Sequence, residues 1–169
     1  RLRMNVGVSN ATSTAGATFK LQFVAADQCS SATGWLDVGG TASTSAWRGY
    51  DNAGVADQGT LSSQLLASST VAATYEESAV TAVTPNDIGL DEYGEWDFVL
   101  QQNGAEAGTN YCFRMVESDG TPFLTYSHHP QLFTNEAPTI PDQQLPFDNE
   151  KVASTIPWFT FVATDVENP

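Results

Sequence analysis

Basic residues are scarce in this chain. Arg1, Arg3, Lys20, Arg48, Arg114 and Lys151 are the only six in 169 residues, against twenty acids, for a formal charge of −14. A surface of that sign releases no counterions from a phosphate backbone, so nucleic acid is excluded as an expected partner. No run of 18 apolar residues occurs, so no transmembrane helix is expected. An initiating Met and a signal peptide are both missing, and the expectation is a mature or excised piece of a longer chain. Helical periodicity is absent as well: no segment keeps apolar residues at i, i+3, i+4 and i+7 for three turns.

The chemistry of catalysis is equally thin. His128 and His129 are adjacent, so on a strand they point to opposite faces and cannot share a metal. No Gly-x-Ser-x-Gly elbow accompanies the many serines. Carboxylate pairs such as Glu76-Glu77 and Asp91-Glu92 would need a cleft and a raised pKa, neither of which a sequence displays. The expectation is a protein that is not an enzyme. Cys29 and Cys112 are the only cysteines and fit neither a zinc site nor a CxxC redox pair. They are read as one disulfide in an oxidising compartment, the alternative being two buried thiols.

What is present is strand pattern. An apolar content of 41% is enough for a folded core. Leu2, Met4, Val6 and Val8 alternate with Arg1, Arg3 and Asn5 from the first residue, and Phe19, Leu21 and Phe23 alternate with Lys20 and Gln22. Gly34–Gly40 is a short strand stopped by its glycines, and 71–76 reads as another. Trp96, Phe98 and Leu100 share a face, as do Tyr111, Phe113 and Met115, with Cys112, Arg114 and Val116 opposite. Asp119-Gly120 marks a hairpin turn, after which 123–126 is expected to be the last strand of the module. Residues 41–70 are rich in Ser, Thr, Ala and Gly, a long excursion expected to be anchored by Trp47, Tyr50, Leu61, Leu65 and Leu66.

From Asn135 onward, Pro138, Pro141, Pro146 and Pro157 hold the chain extended until a final apolar run, Trp158–Ala163. The expected organisation is a β-sandwich module over 1–135, a Pro-rich linker over 136–157 and a C-terminal strand over 158–169. That strand is a donor strand or the start of a second module.

The segments Phe19–Val24, Gly34–Val38 and Gly108–Met115 resemble the C, C′ and F strands of a fibronectin type III or immunoglobulin-like sandwich, Tyr111 standing where that fold has its tyrosine corner. The tail, Ala137–Asp142 and Phe161–Asn168, resembles the first strands of cadherin-like modules in large secreted prokaryotic surface proteins. The resemblance implies an all-β, antiparallel sandwich with an extended C-terminal β segment, extracellular or at the cell surface. It also implies that Cys29, in the loop after strand C, lies beside Cys112 and pins that loop to the outer face of the sheet.

A sheet lacking an edge and a strand lacking a sheet, at opposite ends of one chain, suggest assembly. The expected function is therefore a structural subunit of an extracellular prokaryotic filament or surface layer. Its partners are neighbouring copies, joined by β-strand complementation. Trp158, Phe159, Phe161 and Val162 are the donor residues, with Phe159 and Phe161 inward. Leu2, Met4 and Val6 form the acceptor edge. The alternative is a carbohydrate-binding or adhesive module that takes surface glycans, with Trp47 as the ring to test among four tryptophans. Asn10-Ala11-Thr12 is a glycan attachment sequon. No cofactor is required, although Asp165, Glu167 and Asn168, with Asp142, Asp148 and Glu150 in the linker, have the oxygen chemistry that suits Ca²⁺.

Overall fold

A computed structural model describes residues 1–61, 65–66, 70–71, 74–77, 81–145 and 160–164. In chain order its strands are β1 (Leu2–Gly7), β2 (Thr18–Ala25), β3 (Leu36–Asp37), β4 (Trp47–Gly49), β5 (Thr70–Val71), β6 (Tyr75–Glu76) and β7 (Thr81–Val83). They continue with β8 (Tyr93–Phe98), β9 (Leu100–Gln102), β10 (Asn110–Glu117), β11 (Gln131–Phe133), β12 (Asp142–Leu145) and β13 (Thr160–Val162). The described residues contain no α-helix, only a single 3-10 turn at Cys29–Ser31, and so no helix long and apolar enough to cross a membrane.

The architecture is all-β, with open sheets that are antiparallel or mixed. In one sheet β8 pairs antiparallel with β1 and parallel with both β5 and β6. A purely antiparallel arrangement was expected. β5 and β6 are separated from β8 by a stretch long enough for the crossover that a parallel pair requires. The second sheet runs β11-β10-β2-β3, with β7 also on β2. β4 and β9 form a short ladder of their own.

Alternation decides which side chains these sheets bury. Leu2 and Met4 of β1, Phe19, Leu21 and Phe23 of β2, Trp96 and Phe98 of β8, and Phe113 and Met115 of β10 meet in one core. Phe19 meets Trp96 edge-on at 5.5 Å, joining the two larger sheets. Trp47 is buried against Tyr111 and Phe113 at 5.6 and 5.3 Å, which makes it a core residue and removes it as a glycan platform.

Three expected elements take another form. Residues 71–76 contain parts of two strands, β5 and β6. Leu65 and Leu66 are not anchors but 70% and 49% exposed, and Tyr50 is exposed too. After the turn at Gly120 (φ +95°), whose N–H donates to the Glu117 carbonyl at 2.8 Å, residues 123–126 form no strand. Phe123 instead packs on Phe19 at 5.6 Å, and the Tyr126 hydroxyl donates to the Met115 carbonyl at 2.7 Å. A side-chain hydroxyl thus takes the place of a ladder bond along β10, and the next strand is β11.

The described chain forms two compact units, one of 1–105 with 110–132 and one of 106–109 with 133–169. In the second, β12 pairs antiparallel with β13, Asp142 opposite Val162 and Gln143 opposite Phe161. The stretch read as linker therefore holds a strand, and the tail run has a partner upstream in its own chain.

Cys29 and Cys112 are joined by a disulfide with Cα atoms 5.5 Å apart, tying the 3-10 turn to β10. Cys112 itself is fully buried, so the bridge is covered at its strand end. The sulfurs lie opposite the Phe113 face, outside the shared core, and the loop they close spans a sequence separation of 83. Closing such a loop is worth about 4 to 5 kcal/mol on the chain-entropy account. Reduction should lower the melting temperature yet leave a folded β protein by circular dichroism. Two thiols that alkylate in the unreduced native protein would contradict the bridge.

Candidate functional site

The face of β1 and β8 turned away from the core carries charge. Register places Arg3 opposite Asp97 and Asn5 opposite Glu95, while Tyr75 of β6 lies opposite Asp97 on the other side. Arg3 donates to Glu95 at 3.1 Å and to Asp97 at 3.0 Å, Arg1 also donates to Asp97, and the Arg1 guanidinium sits 5.2 Å from the Tyr75 ring. Glu95, Asp97 and Tyr75 are buried. The hydrogen bond to Asp97 holds the Arg3 guanidinium even further above neutrality than usual, and burial raises the Tyr75 phenol.

The excursion supplies what covers this polar face. Glu95 accepts the backbone N–H groups of Leu65 and Leu66, both at 3.0 Å in their shorter contacts. Tyr75 and the 52–59 loop are laced together by backbone, with Gln58 N–H donating to the Tyr75 carbonyl at 2.7 Å and Tyr75 N–H to the Gly59 carbonyl at 2.9 Å. Asn52 donates its side-chain amide to the Tyr75 hydroxyl and its N–H to Glu77, while Glu77 N–H donates to Asp57. Carboxylates that accept backbone N–H groups do for this segment what apolar anchors do elsewhere.

Glu76 points to the other side of β6. It is completely buried, its Oε1 accepts the Thr74 hydroxyl at 2.6 Å, and its Oε2 has no partner among the described residues. Burial pushes this carboxyl up to about 7; the Thr74 hydroxyl and the Val83 amide act against that rise, and the Asp57 charge adds to it. Alongside is a pocket of about 150 Å³ lined by Gln58, Thr74, Val83 and Pro85. The Glu76-Glu77 pair noted in the sequence thus contains one carboxyl with the perturbation a proton-transfer group needs.

A second cluster lies outside the core on the β2–β10 sheet. The Arg114 guanidinium sits 4.3 Å from the Trp35 ring, Trp35 stacks with His129 at 5.8 Å and His129 with Tyr126 at 4.9 Å. Gln22 fixes Arg114 by accepting from Nε and Nη2. Burial, then the Arg114 charge, holds the His129 imidazole below its ordinary value. These rings stack on one another, and Trp35, Tyr126 and His129 are each half-buried.

Among the expected site residues, Leu2 and Met4 are 7% and 8% exposed and Val6 is half-buried. Among the described residues they line no open groove, yet β1 ends its sheet there, paired with β8 alone. Asn10 is exposed in the bend that follows β1. Phe161 and Val162 belong to β13, with Val162 exposed. Trp158, Phe159, Asp148, Glu150, Asp165, Glu167 and Asn168 lie outside the described residues. Asp142 opens β12 and is exposed, and no group of three ligating side chains suited to a metal occurs among the described residues. Sequence reading missed the roles of Arg3, Glu95 and Asp97. Their signal was present as two spaced pairs of opposite charge, Arg1-x-Arg3 at the start of β1 and Glu95-x-Asp97 within β8.

No family model, curated protein or solved structure matches this chain.

Glu95→Gln should strip the charge that holds both Arg3 and the 65–66 backbone. Breaking a buried pair from one side costs about 3 to 5 kcal/mol. Urea unfolding should show a loss of that order, and amide exchange at Leu65 and Leu66 should accelerate first. A variant with unchanged stability and exchange would mean that the excursion is seated by other contacts.

Proposed function

We propose that this chain is a structural module of an extracellular prokaryotic filament or surface layer, joined to neighbouring copies by strand pairing along β1. The observation that carries the reading is the position of β1 at the end of its sheet, paired on one side only among the described residues. An unpaired edge is a template for another strand and calls for a partner or a protective device. The disulfide supports an oxidising, extracellular setting. The closed core beside Leu2 and Met4 modifies the mode: the incoming strand gains main-chain bonds along an edge instead of filling a deep groove.

The donor is the 158–163 run. Among the described residues β13 pairs with β12 alone, which leaves its other edge for the β1 of a neighbour. Donor residues Trp158, Phe159, Phe161 and Val162 then determine which neighbour is accepted, through alternate side chains. Calcium at Asp165, Glu167 and Asn168 would stiffen the junction. No observation favours the carbohydrate-binding alternative once Trp47 is in the core.

Val8 donates its N–H to the Glu92 carbonyl at 3.2 Å, so by alternation the N–H groups of Val6 and Met4 face β8 and that of Asn5 faces the free edge. Proline at a free-edge position removes a donor from the neighbour and leaves the resident ladder intact. Asn5→Pro should therefore give a folded protein that sediments as a monomer under conditions where the native chain forms polymers, whereas Met4→Pro should unfold β1. Polymers of normal length from Asn5→Pro would show that the joint lies elsewhere.

A further inference from the structure

Glu76 sits where three elements meet. Through its backbone it belongs to the parallel ladder on β8, with Asp97 N–H donating to the Thr74 carbonyl at 3.1 Å and Val99 N–H to the Glu76 carbonyl at 2.9 Å. Its neighbour Tyr75 holds the 52–59 loop through Gln58 and Gly59. Its own carboxyl faces the Val83 amide of β7, a strand of the other sheet. The site is tight, since Glu76 is wholly buried and Oε2 has no hydrogen-bond partner among the described residues.

We propose that Glu76 is a proton-operated clasp between β6, β7 and the 52–59 loop, tightened by acid and loosened as its carboxyl ionises. The proposal rests on the fold and is independent of how copies assemble.

The groups around the carboxyl define the direction. From the residues flanking β6 come the Thr74 hydroxyl and, next to Glu76, Glu77, whose carboxylate is already engaged by the Asn52 N–H. From the loop comes Asp57, a second negative charge. From β7 come the Val83 amide and, beside it, the pocket lined by Gln58, Thr74, Val83 and Pro85. β8 presents Phe98 opposite Glu76, an apolar side chain. The charge acting on Glu76 is thus of its own sign, and a buried, half-satisfied carboxylate next to Asp57 is relieved only when water reaches it. Water reaches it by parting β6 and the loop from β7.

Because the folded carboxyl holds its proton to about 7, against 4.5 when exposed, the folded form binds more protons across that interval. Stability from this group is then full below the exposed value, falls as pH rises through the window, and is level above the folded value. Carboxylates engaged in hydrogen bonds elsewhere act in the opposite sense, so the effect must be isolated by comparison with Glu76→Gln.

Side-chain carboxyl titration by nuclear magnetic resonance of the intact protein should place Glu76 near neutrality. Amide exchange at Gln58 and Tyr75, corrected for intrinsic rates, should show opening that grows by up to about tenfold per pH unit between roughly 5 and 7. Glu76→Gln should lose this dependence. A Glu76 midpoint near the ordinary carboxyl value overturns the proposal, and so does identical pH dependence in the native protein and the variant. The titration decides the matter on the native chain even if the variant does not fold.

Discussion

Arg3, on the outward face of β1, lies against Glu95 and Asp97 on the outward face of β8, and much of that side of the protein follows from burying these three groups. Arg3 is mostly covered, and Glu95 and Asp97 almost completely. An ion pair in that position is costly to desolvate and strongly destabilising when one partner is lost. The chain must therefore bring further polar groups to it. It does so with the excursion, whose backbone N–H groups at 65 and 66 complete the coordination of Glu95.

That constraint explains an arrangement that hydrophobic patterning alone would not produce. Among the described residues of the excursion Trp47 is buried in the core, whereas Leu65 and Leu66 are exposed and the chain there is held by polar contacts. Asp57, Glu77 and Glu95 each accept a backbone N–H from it or from its return strand. Having crossed the polar face, the chain lies along β8 in the parallel sense, as β5 and then β6. The two faces of the β1–β8–β6 sheet thus differ in kind. The inner one is a hydrocarbon core centred on Trp96 and Phe98, and the outer one is a network of charge and amide. β1 belongs to both.

Much of this was legible in the sequence where one residue's neighbours decide its environment. The alternation of β1, β2 and β10, the burial of Trp96 and the turn at Asp119-Gly120 depend on period-two pattern and local turn chemistry. Glu95 and Asp97 were not legible, because a carboxylate on the outer face of a strand looks solvated until a distant segment covers it. Tyr126 was misread because aromatic and β-branched residues favour strands, while its hydroxyl in fact satisfies the Met115 carbonyl. Trp47 was expected both as an anchor of the excursion and as a ring to test for glycan; it is an anchor, buried beside a three-residue ladder with β9, more than fifty residues away in sequence. The Glu76-Glu77 pair was visible as a pair. That one member is sealed inside and the other is bonded to Asn52 is a property of the folded chain alone.

The direct test of the central interaction is a double-mutant cycle on Arg3 and Asp97, with Arg3→Ala, Asp97→Ala and the double variant compared by equilibrium denaturation. If burial of this pair organises the outer face, the coupling energy should be about 1 to 3 kcal/mol, above what exposed pairs show. It should also change little as ionic strength rises from about 0.05 to 0.5 M, since covered pairs are weakly screened. A coupling below roughly 0.5 kcal/mol that vanishes in salt would mark the pair as an ordinary surface contact and contradict the account.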